Sequence, residues 1–264
     1  MTSTTATKHL EIQRKSIALT VIALTFATTF CQAASNTLDP ANMTAAQAAS
    51  ETLSAQQQAI VPIGAFAAAG DIGKLNAALN QGLDAGLTVG DIKEILVQLY
   101  AYAGFPRSLN ALGALMKVLD SRKQRGIRDA PGREPSHATP KGDALLAAGT
   151  ANQTKLAGAP VKGPLFEFAP AIDEYLKTHL FGDIFERDNL DWQSRELATV
   201  SMLSALPGAE SQLQSHFGIS LNTGLSAGQL RQLIRVLDDR VDAGFARRAS
   251  EALDRQLASR SGGK

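Results

Sequence analysis

The chain has 264 residues, 44% hydrophobic and 19% charged, enough to bury one large core or two small ones and too apolar for a disordered tail. Its 26 basic residues balance 25 acidic ones for a net charge of +1, so it carries no electrostatic footprint for nucleic acid or an acidic surface. The single cysteine, Cys31, excludes an internal disulfide framework.

At the N-terminus, Lys8, Arg14 and Lys15 precede an apolar run from Ile17 to Phe30, followed by Cys31-Gln32-Ala33. This is the layout of a secretory signal over residues 1–33, cut after Ala33. The run falls short of the about 20 residues of a membrane span, and Phe30 does not suit lipoprotein processing at Cys31. The expectation is a periplasmic or secreted protein, free of the membrane after signal removal. Cys31 would leave with the signal, and with it any thiolate nucleophile or metal ligand. Residues 34–50 are small and polar and read as a flexible lead-in.

The helical pattern begins in residues 51–122. Ser54 and Gln57 form a capping box, and Ile60, Ile63 and Phe66 continue an apolar face, with Pro62 in an early turn. A second helix runs from Ile72 to Ala85, and Thr88 caps a third from Val89 to Tyr102, with Ile92, Ile95, Leu96 and Leu99 as its buried stripe. Gly104-Phe105-Pro106 turns the chain, and a fourth helix from Arg107 carries Leu109, Leu112, Leu115, Met116 and Leu119. Residues 123–164 read as a linker containing a short helix from Asp143 to Leu156. Within residues 165–258, Phe166 to Phe185 is predicted as one helix with Phe168, Ile172, Leu176, Leu180 and Ile184 on one stripe. Trp192 to Ser226 reads as helix, turn at Pro207-Gly208, and helix, closed by Gly224. Residues 259–264 read as a flexible tail. With no period-2 run, the chain is all-α.

The order of the first half recurs in the second. Gly86-Leu87-Thr88 matches Gly224-Leu225-Ser226 at an offset of 138, as do Leu75 with Leu213, Ile92 with Leu230, Ile95 with Leu233 and Leu99 with Leu237. The spacing predicts two tandem copies of a four-helix unit packed together. The copies differ in polar residues: Glu196 and His216 correspond to Gln58 and Ala78, and Glu94, Gln98 and Tyr102 correspond to Gln232, Val236 and Arg240.

Glu196 near the start of one helix and His216 in the middle of the next can face each other across an antiparallel pair, as acid–base catalysis requires. Each also has a structural reading, His216 as a hydrogen-bonded core residue and Glu196 as a helix-end carboxylate. Arg107 and Tyr102, beside the Gly-Phe-Pro turn, are candidates for anchoring a carboxylated substrate, with Glu94 on the same helix face as Tyr102. Gln98 is read as solvated and Tyr100 as core. His137 and His179 are read as surface residues, and no clustering of ligands points to a metal.

Arg195-Glu196-Leu197, Gln212-Leu213-Gln214-Ser215-His216, Leu221-Asn222-Thr223-Gly224-Leu225 and the segment from Asp91 to Leu112 resemble the carboxymuconolactone decarboxylase family, within the alkylhydroperoxidase D-like superfamily. The resemblance implies two tandem helical repeats and a homo-oligomer. It implies a cofactor-free enzyme similar to 4-carboxymuconolactone decarboxylase, acting on a small carboxylated lactone or enol, with His216 as proton donor oriented by Glu196. The alternative is a ligand-binding or interaction protein that kept the scaffold and lost the reaction, which export favours because this decarboxylation is normally cytoplasmic. The superfamily's thiol peroxidases place Cys-x-x-Cys where this chain has Ala209 and Gln212, which can form neither a sulfenic acid nor a disulfide.

Overall fold

The computed structural model describes residues 51–262, and the expected signal and lead-in lie outside them. The described residues form helices and no strand. The first repeat comprises α1 (Ala55–Ala69), α2 (Ile72–Asp84), α3 (Val89–Gln98) and α4 (Tyr100–Gln124). The second comprises α8 (Trp192–Ser204), α9 (Glu210–Asn222), α10 (Ala227–Arg240) and α11 (Ala243–Gly262). Between them lie α5 (Asp143–Ala157), α6 (Pro164–Phe168), α7 (Pro170–Tyr175) and a π-helical segment, Leu176–Ile184.

Local chemistry sets the boundaries. Ser54 and Gln57 form the expected capping box on α1, and Thr88 with Asp91 caps α3 in the same way. Ser226 with Gln229 repeats the second box at the equivalent position on α10. α1 stops at Gly70, whose φ of 75° is left-handed, and its terminal carbonyls are met from outside: Arg107 donates to the Ala68 carbonyl at 2.9 Å. The predicted turn at Gly104 is a kink inside α4, where φ is 80° and ψ is 160°.

α8 is buried from Ser194 to Ser204 and packs along α1, its counterpart in the first repeat. Gly64 lets the two approach, since a Cβ there would lie 3.0 Å from the Ala198 carbonyl oxygen. Hydroxyls on so enclosed a helix satisfy themselves: Thr199 donates to the Arg195 carbonyl and Ser201 to the Leu197 carbonyl. One apolar core joins both repeats, with Ile60, Leu75 and Ile92 from the first and Leu197, Phe217 and Leu230 from the second. A smaller cluster of Leu156, Leu180, Phe181, Ile184, Phe185 and Ile219 ties α5 and the π-helical segment to α9.

Two stretches depart from expectation. The single helix predicted over Phe166 to Phe185 is broken near Pro170, which has no N–H to continue the ladder, and then widens into the π-helical segment. Only Leu180 and Ile184 of its predicted stripe are buried, while Phe168 is 88% and Ile172 46% exposed. The last helix, α11, continues to Gly262, into the stretch read as a tail.

Candidate active site

α8 and α9 run side by side, joined by the turn at Pro207-Gly208, where Gly208 takes a φ of 86° and its N–H is held by Glu210. This places Glu196, in the second turn of α8, against His216 of α9. His216 Nδ1 and Glu196 Oε2 are 2.9 Å apart, with Glu196 fully buried and His216 8% exposed. Glu196 therefore points into the protein and does not cap its helix. The bond to a carboxylate puts a proton on Nδ1 and leaves Nε2 without a partner among the described residues.

His216 lines a pocket of about 390 Å³ between α9, α11, α5 and the π-helical segment. Leu176, Leu180, Phe181 and Ile219 make it largely apolar, and Gln153, Gln256 and Arg260 add polar groups. Gln153 is 4% exposed and its amide has no hydrogen-bond partner among the described residues. Arg260 donates to the Gly218 carbonyl at 2.8 Å and to the Asn222 side chain, and it pairs with no carboxylate among the described residues. It is the cation of the pocket lining. The spacing could not reveal it, because it lies 44 residues after His216 on a helix turn read as tail.

Tyr102 meets the site from the first repeat. Its ring packs edge-on against the His216 ring, with centroids 5.4 Å apart. Its hydroxyl is buried without a hydrogen-bond partner among the described residues, as is Glu196 Oε1. Burial, then the nearby Glu196 carboxylate, push the phenol far above its ordinary range, so it remains protonated.

The other candidates lie elsewhere. Arg107 caps α1 through the Ala68 carbonyl and does not line the pocket. Glu94 is enclosed by Arg187, Asn189 and Arg195, with the shortest contact 2.6 Å from Arg187 Nη2, and both its oxygens are engaged. Burial raises its pKa, but the hydrogen bonds from Arg187, Asn189 and Arg195 outweigh that and hold it at about 2. Its geometry is that of a clasp between repeats. Gln98, read as solvated, is fully buried, donating to the Arg195 carbonyl at 3.0 Å and to Thr199 at 2.6 Å. Tyr100 is half-buried, stacked on Phe105 and bonded to exposed His179, while exposed His137 faces Glu186.

The sequence profile of the carboxymuconolactone decarboxylase family matches residues 37–117 and 170–255, one match per repeat. No curated protein matches the chain.

Proposed function

Because the chain belongs to the carboxymuconolactone decarboxylase family, we propose that it is a cofactor-free carboxy-lyase acting on a small carboxylated lactone or enol. The observation that carries this reading is the buried His216–Glu196 pair at 2.9 Å, opening through His216 onto a largely apolar pocket.

Loss of carbon dioxide breaks a C–C bond and leaves its electron pair on the substrate as an enolate or dienolate. His216, protonated at Nε2, gives its proton to the carbanionic carbon, and solvent restores it. Glu196 fixes the ring through Nδ1 and balances the imidazolium charge. Leu180, Phe181 and Ile219 hold the departing carboxylate in an apolar setting, where its charge is less stabilised than in water. A salt bridge from Arg260 to that carboxylate would stabilise the starting state. The guanidinium therefore serves the reaction by facing the oxygen on which charge develops, or a second carboxylate that stays behind. Gln153 and Gln256 supply donors for lactone or enol oxygens.

The test is turnover of 4-carboxymuconolactone by the full-length protein and by His216→Ala. The expected result is decarboxylation by the wild type and a loss of about 10²–10⁴-fold in the variant. Unchanged turnover in the variant overturns the assignment, and binding without turnover in the wild type makes the protein a ligand-binding relative on the same scaffold. The proposed place of action is the periplasm or the exterior, on the strength of the signal-like first 33 residues. N-terminal sequencing of the exported protein should begin at Ala34.

A further inference from the structure

The first repeat carries a hollow of its own, which shares three matched helix positions with the one at His216. Ser215, His216 and Ile219 of the candidate active site correspond, at the offset of 138, to Ala77, Ala78 and Gln81. Ala78 and Gln81 line two adjoining pockets of about 210 and 190 Å³ that share Pro62, Ala78, Gln81 and Arg240, and Ala77 lines the smaller. Gln58, counterpart of Glu196, lines the first of them. Arg240 is the counterpart of Tyr102, and as Tyr102 reaches His216 from the first repeat, Arg240 reaches Ala78 from the second. Arg240 of the second repeat thus borders a hollow of the first, while Tyr102 of the first packs on the His216 ring of the second without lining its pocket.

The residue types at these matched positions change the chemistry. The imidazole becomes a methyl group, the carboxylate a carboxamide and the phenol a guanidinium, so the acid–base pair is gone and a fixed cation has arrived. Arg240 has no hydrogen bond or ion pair among the described residues. Lys74 stands on the other side, over the Phe66 ring at 5.6 Å. No acidic side chain lines either pocket. The floor is apolar, from Pro62, Phe66 and Ala78, and Gln58 and Gln81 add carboxamides.

We propose that this hollow is a binding site for a small organic carboxylate, held by Arg240 over an apolar floor and left unreacted for want of the imidazole–carboxylate pair. The proposal stands whatever His216 does. Its test is an NMR titration of the full-length protein, labelled at alanine methyls and histidine rings, with benzoate and with benzamide as the uncharged control. Benzoate should move the Ala78 methyl saturably, benzamide should not, and Arg240→Gln should weaken the effect by at least about tenfold while leaving the His216 ring response unchanged. Arg260→Gln should leave the Ala78 response intact. An Ala78 methyl that does not respond to benzoate, that responds equally to benzamide, or that responds equally in Arg240→Gln overturns the proposal. Arg240 is exposed, so its replacement leaves the fold in place, which the unchanged His216 signal checks.

Discussion

At the scale of single residues, the buried pair is the point on which the proposed chemistry turns. Glu196→Gln keeps an acceptor for Nδ1–H but removes the charge that balances an imidazolium. It should leave the helical fold intact and lower turnover by about 10²–10⁴-fold, measured as kcat beside a circular dichroism spectrum. Tyr102→Phe deletes a buried hydroxyl without a partner while keeping the ring edge on His216. It should leave stability unchanged or raise it by about 1 kcal/mol, read from the urea midpoint. The histidine and the glutamate were legible because 20 residues span one helix, a Pro-Gly turn and half of the next, which brings the two level. Gln98 was misread because its partners, Thr199 and the Arg195 carbonyl, lie about a hundred residues away, and helix periodicity says nothing of contacts between repeats.

At the scale of elements, α3 clasps the entry to α8 through Glu94, and α10 clasps the entry to α1 through its counterpart, Gln232, which accepts from the Leu53 N–H at 2.6 Å. The charged clasp makes stability depend on pH. The Glu94 carboxyl falls from 4.5 to about 2 on folding, so its contribution is fully present above about 4.5 and is lost as pH falls towards 2. That difference corresponds to about 3 kcal/mol. Glu94→Gln should cost about 3–5 kcal/mol at neutral pH, because it strands the fully buried Arg195, and should flatten the acid limb of a midpoint-against-pH curve. A second element contact is steric: a Cβ on Gly149 would lie 1.7 Å from the Lys177 carbonyl oxygen, so α5 sits against the π-helical segment with no room to spare. Gly149→Ala should destabilise by about 1–3 kcal/mol and disturb Gln153 in the pocket wall, seen as a lowered midpoint. The caps of α1 and α3 were written in single residues and were readable. The π-helical widening had no periodic signature, and the stripe drawn through it placed Phe168 and Ile172 inside when they face water.

At the scale of the whole molecule, the two repeats share one apolar core, and α1 and α8 bury their faces on each other. Unfolding should therefore be a single cooperative transition, and a fragment of residues 51–124 should stay unfolded alone, both visible by far-ultraviolet circular dichroism. The duplication was plain in the sequence because caps and core positions recur at one offset. The reach of Tyr102 to the His216 ring and of Arg240 to the Ala78 hollow was not, because each crosses to the opposite repeat.

That crossing has a consequence for how such a protein can diverge. A symmetric dimer of single-repeat chains would hold two identical chambers, and any change that disarmed one would disarm both. Fusion of the halves into one polypeptide lifts that bond: the chamber at Ala78 can carry Arg240 and no acid–base pair, while the one at His216 carries the imidazole bonded to Glu196.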